Sequence, residues 1–184
     1  MSDLVLMLMR LAGAFYFATA FLVVRAAAQA GLMDAVLGAL SGAPDRREAG
    51  AQELRRWWLT LGAVLTGLGG LSAAGGWAAA APLFLASALG QWTWLLVVAP
   101  RLVDPFDAPD PAGRRSTRNA AIGHTALTLV VLLSAPQLGV WSKLPILSQA
   151  AVGVGWVALT AYALRALWRG RLGHWTPAHS EDED

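Results

Sequence analysis

From Trp57 to Ala99 the chain reads WWLTLGAVLTGLGGLSAAGGWAAAAPLFLASALGQWTWLLVVA, without one charged side chain. A bilayer core about 30 Å thick needs about 20 apolar residues to cross it as a helix. The run is about twice that length. It therefore reads as two spans, 57–74 and 77–99, folded back on each other at Gly75-Gly76. Only Ser72 to Gly76 is left as a connector, which allows nothing but a tight helical hairpin, and glycine permits the positive φ that such a turn requires. At 1.5 Å per residue the later span reaches about 34 Å and the earlier one only about 27 Å. A re-entrant or strongly tilted segment at 57–74, leaving four crossings, is the alternative. Pro82 is expected to kink the later span mildly.

Three further apolar windows flank this pair. The first, 4–24, is LVLMLMRLAGAFYFATAFLVV, interrupted by Arg10; the fourth, 119–136, follows Arg118 and contains AAIGHTALTLVVLLSA; the fifth is 147–167. The chain is 56% hydrophobic and 14% charged, against about a quarter charged in soluble domains. The expected fold is an all-α, polytopic transmembrane bundle of five spans. Apolar Leu32, Met33, Val36, Leu37 and Leu40 recur at helical spacing after Gly31. A first helix continued to Leu40 would be about 55 Å long, so a break near Gly31 and a separate interfacial helix over 31–40 are expected. Residues 173–184, closing in Glu181-Asp182-Glu183-Asp184, read as a disordered acidic tail.

Charge sets the expected orientation. With the N-terminus outside, the segment 25–56, the loop 101–118 and the C-terminal tail face the cytoplasm and hold nearly all the arginines; the outer side keeps Lys143 and Arg10. Trp57, Trp58 and Trp168 then mark the inner interface, and Trp77 and Trp141 the outer one. The alternative at the N-terminus is a cleaved signal peptide with a core at 11–24 and a small-residue site at Ala26-Ala27-Ala28. It is disfavoured because Asp3 lies where a basic region belongs, and because cleavage would place the arginines of 45–56 outside. The Arg-, Ala- and Gly-rich composition points to a GC-rich bacterial genome, and hence to the inner membrane. The basic residues are topology signals rather than a nucleic-acid surface.

Chemistry is sparse. The absence of cysteine removes disulfides, thiolate nucleophiles and cysteine metal sites. Asp104, Asp107 and Asp110 are evenly spaced, but Asp-Pro steps around them favour a rigid extended connector over a metal loop. Ser116 or Thr117 is the expected cap of the fourth helix. His124 is the only histidine inside a span, too few for two axial ligands of a transmembrane haem. No cofactor and no metal site are expected, and the chain does not read as an enzyme.

The candidate site is a layer of polar side chains in the cytoplasmic half of the spans. His124, Tyr162 and Thr19 each lie six residues from an arginine or tryptophan of the inner interface, about 9 Å deep; Gln91 and Thr128 lie about one turn deeper. Arg10, inside the first span, is either a snorkelling anchor or a ligand. This layer is either interhelical hydrogen bonding or a cytoplasm-facing cavity for a small molecule, lipid or ion. Small-residue stripes at Gly62, Thr66 and Gly70, at Ala86 and Gly90, and at Ala151 and Gly155 are expected to pack helices closely. The expected role is a non-catalytic accessory or scaffolding subunit of a membrane complex, or a homo-oligomer in the lipid bilayer. The alternative is a small-molecule, lipid or ion binding or transport protein.

Overall fold

The computed structural model describes residues 3–41, 46–106 and 111–172. It is a bundle of five helices, each long and apolar enough to cross a membrane: α1 (Asp3–Ser41), α2 (Arg46–Ala74), α3 (Ala80–Thr93, continued as a π-helix over Trp94–Val103), α4 (Pro111–Ser134) and α5 (Ile146–Leu172). Among the described residues there is no strand. The expected five-span transmembrane fold is therefore the observed one. α2 packs on α1, α3 and α5, and α4 packs on α3.

The closest packing is between α1 and α2. A Cβ on Gly70 would stand 2.5 Å from the Gly13 carbonyl oxygen and 3.0 Å from Tyr16 Cβ, and a Cβ on Gly13 would in turn strike the Gly70 carbonyl. One turn away, a Cβ on Gly67 would meet Ala20 Cβ and Leu159 Cδ2, both at 2.6 Å. Between helices in lipid, close backbone approach of this kind supplies the dispersion contact that holds the pair. Only part of the expected stripes is used this way. Gly70 packs, but nothing lies within 4 Å of a Cβ built on Gly62 or Gly90; Ala86 and Ala151 are exposed. On α5 the close contact is Gly155, against which the side chain of Leu71 is seated.

The hairpin between α2 and α3 closes as a helix cap. Gly76 N–H donates to the Ala73 carbonyl (3.1 Å) and Trp77 N–H to the Ser72 carbonyl (2.7 Å), with Gly76 at φ +76°. These are the two bonds of the Schellman motif, whose left-handed residue is normally glycine. The same turn is pinned to the α4–α5 connector: Ala78 N–H donates to the Gly139 carbonyl (3.0 Å), and Gly139 N–H to the Gly76 carbonyl (2.8 Å). Trp77 rests on Trp141 and Trp156 with ring centroids 4.8 and 5.1 Å apart.

Several boundaries differ from the sequence reading. α1 has no break near Gly31 and is one helix to Ser41. The reason is packing: Gly31 lies against the guanidinium of Arg56, whose Nη1 would be 2.6 Å from a Cβ there. Arg56 is itself buried and ion-paired with Glu53, which also accepts from Trp57 Nε1 (2.6 Å). α2 begins at Arg46 rather than Trp57, and α4 at Pro111 rather than after Arg118. Most of the expected 101–118 loop is thus helical. Thr117 is no cap, since its hydroxyl donates to the Gly113 carbonyl inside α4 (3.0 Å). Pro82 falls in the first turn of α3, where the missing N–H has no helical acceptor to lose. The irregularity of that helix is instead the π-segment around Pro100. Asp107, Asp110 and the acidic tail lie outside the described residues.

Two outcomes follow for stability. Gly70→Val drives side-chain atoms into the Gly13 backbone and is expected to cost about 1–3 kcal/mol in detergent unfolding, whereas Gly62→Ala is expected to be neutral or stabilising by up to about 1 kcal/mol. Glu53→Ala, which strands the Arg56 charge, is expected to lower the unfolding midpoint more than the pair Glu53→Ala with Arg56→Met, because removing one partner of a buried ion pair costs more than replacing both.

Candidate functional site

Toward the arginine-rich end of the bundle, α1, α2, α3 and α4 border a cleft of about 330 Å³. Its wall on α1 runs from Val23 down to Tyr16, about 10 Å along the helix axis. Gly62 and Gly90 both line it. The two glycines assigned by sequence to close packing are the ones that make room.

Polar groups in the cleft fall into two sets. The short hydroxyls are satisfied locally. Thr66 Oγ1 donates to the Gly62 carbonyl (2.8 Å), and its single proton being spent there, Ser87 Oγ is the donor across the 2.5 Å gap between the two hydroxyls. Thr19 Oγ1 turns back to the carbonyls of Phe15 and Tyr16 at 3.0 and 3.1 Å. By contrast, Tyr16 and Gln91 line the cleft, and their side chains make no hydrogen bond among the described residues. Trp58 closes one side, with its Nε1 donating to the Gly90 carbonyl (3.3 Å) and its ring 5.7 Å from that of Trp94. No Asp, Glu, Lys, Arg or His lines the wall. Above it, Arg114 of α4 pairs with Asp104 at the end of the π-segment.

The six residues expected to form a site are not all brought together. Gln91 and Thr19 line the cleft. His124 lies behind the wall, buried, stacked on Phe84 (5.6 Å) and 5.7 Å from the ring of Tyr16; neither ring nitrogen has a hydrogen-bond partner. Thr128 is buried and donates to the His124 carbonyl (2.9 Å). Tyr162, on α5, packs on Phe21 (5.4 Å), away from the cleft. Arg10 is exposed, with a guanidinium nitrogen 3.5 Å from where a Gly76 Cβ would stand, at the opposite end of the bundle.

Sequence reasoning did not single out Tyr16, Trp58 and Trp94 as site residues. Tyr16 had a usable signal: it precedes Thr19 by three residues, which puts the two on one helix face. A second groove of about 300 Å³, between α2 and α5, is lined by Trp57, Thr60, Val64, Thr160, Ala163 and Leu167 among others, and is apolar apart from its threonines.

Because the chain has no cysteine, the cleft is open to a labelling test. A single Gln91→Cys is expected to react with a small maleimide in membranes, and Thr128→Cys to stay protected until the protein is denatured. Adding Gly62→Leu to Gln91→Cys is expected to slow that labelling several-fold. Equal reactivity at 91 and 128 would contradict an open cleft beside a dry core. Comparison with known proteins finds no matching family model, no matching curated protein and no matching solved structure.

Proposed function

We propose that this chain is a small multi-pass protein of the bacterial inner membrane, N-terminus outside and C-terminus in the cytoplasm, that binds an uncharged amphiphile in the α1–α4 cleft. The orientation rests on arginine placement. The C-terminal ends of α1, α3 and α5 and the N-terminal ends of α2 and α4 fall on one side, and Arg25, Arg47, Arg55, Arg101 and Arg118 are among the cations there.

The observation that carries the binding role is the pair Tyr16 and Gln91, side chains without a hydrogen-bond partner among the described residues, in a wall where the hydroxyls of Thr19, Thr66 and Ser87 are satisfied locally. Ligand sites are commonly clefts of about 300–1,000 Å³, mostly apolar, with a few polar groups that fix orientation. A wall without Asp, Glu, Lys, Arg or His has no counter-charge, so a charged group enclosed by it would meet the full desolvation penalty. The fitting ligand has an apolar body and a neutral hydrogen-bonding group, as in a neutral lipid. The reading as a non-catalytic accessory subunit draws on exposed apolar faces that every lipid-facing helix shares, and it gives Tyr16 and Gln91 no task.

The test is to purify wild type, Gly62→Leu and Gln91→Ala in mild detergent and compare the lipids and small molecules each retains by mass spectrometry. A species held by wild type, lost with Gly62→Leu and reduced about tenfold with Gln91→Ala, the effect of about 1.4 kcal/mol, is the expected result. Identical bulk-lipid profiles in all three would end the proposal. A stoichiometric foreign protein in place of a ligand would favour the accessory role.

A further inference from the structure

Three aromatic rings meet at the floor of the cleft. On α4 the wall passes from Thr117 to Ala121, and the next residue of that face, three positions on, is His124. On α3 it passes from Gln91 to Ser87, and Phe84 follows three positions back. On α1 the last wall residue toward that end is Tyr16. The rings touch pairwise, with centroids 5.9 Å apart for Tyr16 and Phe84, 5.7 Å for Tyr16 and His124, and 5.6 Å for Phe84 and His124. What α2 presents to two of them is glycine: a Cβ on Gly69 would stand 3.1 Å from Phe84 Cδ2, and one on Gly70 3.0 Å from Tyr16 Cβ. Beyond the rings, Phe84 joins an apolar cluster with Met9, Ala80 and Val131.

One member of this floor is out of place in it. His124 is 3% exposed, and neither Nδ1 nor Nε2 has a hydrogen-bond partner. A phenylalanine would fill a similar volume and leave no polar atom unpaired. Neutral imidazole carries one N–H and one free lone pair, and the fold supplies a partner for neither. Tyr16 connects this histidine to the cleft, because its ring meets His124 and the same residue lines the cleft wall. With open space on that side, the tyrosine side chain can turn aside without moving a helix.

We infer, on the reading of the cleft as a lipid site, that His124 is its deepest binding group and that the ligand is a lipid alcohol. Tyr16 turns aside and uncovers the imidazole. The ligand hydroxyl donates its proton to the free nitrogen of His124 and accepts a hydrogen bond from the Tyr16 hydroxyl or the Gln91 amide. Each of these three side chains can both donate and accept, and a hydroxyl is the smallest neutral group that does the same. An ether or carbonyl oxygen only accepts, so it would leave the histidine lone pair unpaired in an apolar setting. Sites built around a ligand hydroxyl reject analogues without one for this reason. The hydrocarbon part of the ligand lies against Ala20, Leu65 and Leu95 of the wall.

The probes are hexadecanol with a photoreactive diazirine on its chain, and the methyl ether of the same molecule. Each is titrated into the purified full chain in nanodiscs of zwitterionic lipid, and labelled peptides are located by mass spectrometry. In wild type the alcohol is expected to saturate the cleft helices at a membrane concentration about tenfold lower than the ether. His124→Phe keeps a ring stacked on Phe84. It is expected to lose that preference while unfolding at a higher temperature, a combination that a merely structural histidine would not give. His124→Gln, which restores a donor and an acceptor, is expected to recover part of the preference. Equal labelling by alcohol and ether in wild type, or a preference that survives His124→Phe, would overturn the inference. If Gly62→Leu still abolished both signals in that case, the cleft would stand as a lipid site without His124. No saturable labelling by either probe would overturn both readings.

Discussion

The contact of the α1 and α2 backbones at Gly13 and Gly70 is the constraint on which the rest of the bundle depends. Lipid tails are as apolar as leucine, so burial gives membrane helices little reason to associate, and the contact has to come from dispersion at short range. With Gly13 and Gly70 lacking side chains, the two backbones meet directly, and Gly67 admits Ala20 and Leu159 a turn further on. Fixing α2 this way leaves its remaining faces to α3 and α5, and Leu71 is received by Gly155 of α5. The same pairing continues toward the arginine-rich end of both helices. There Arg56 lies across Gly31 and keeps α1 continuous where glycine would otherwise allow a bend.

The two ends of the bundle are built differently. At the end holding the α2–α3 turn, the cap at Gly76, the paired backbone hydrogen bonds to Gly139 and the rings of Trp77, Trp141 and Trp156 join that turn, the α4–α5 connector and α5 in one place. At the arginine-rich end, α3 and α4 are joined through the Asp104–Arg114 pair, and α3 has already loosened into a π-helix around Pro100. Proline has no N–H to give to the helix and crowds the preceding turn, and the wider winding relieves that crowding. The cleft at this end is lined by Gly62 and Gly90, whose missing side chains leave it room.

How much of this was legible in the sequence depended on direction. Position along the bundle axis was readable, because hydrocarbon thickness sets the length of a span and the rise per residue converts residue number into height. The five spans, the turn at Gly75-Gly76 and the half of the bundle containing Thr19 and Gln91 all came from that conversion. Position around each helix was not readable, since it depends on which neighbour sits where. Tyr162 has a suitable depth but faces Phe21, and His124 is turned behind Tyr16. Glycine is ambiguous for the same reason: Gly70 and Gly62 lie two turns apart, yet one touches a backbone and the other borders open space. The loop expected over 101–118 failed on another ground. Prolines and arginines there read as irregular, but Pro111 suits the first position of a helix, where its fixed φ and missing N–H cost nothing.

The size of each polar side chain explains which groups around the cleft are left free. Serine and threonine hydroxyls can reach the carbonyl four residues back on their own helix. Thr66, Thr125, Thr128 and Ser134 all do so. A tyrosine hydroxyl, a glutamine amide and a histidine ring extend past their own backbone and need a partner from elsewhere. For Tyr16 and Gln91 no neighbouring helix supplies one, because the space opposite is the cleft. For His124 the surrounding groups are the rings of Phe84 and Tyr16, so its two nitrogens stay unpartnered in a dry setting. A buried polar group without a partner costs about 1–3 kcal/mol. Selection for stability alone would replace His124 with an apolar residue of similar shape. Tyr16 and Gln91 on the wall, with His124 behind the same tyrosine ring, are what give the cleft its claim to be a site and not a packing defect.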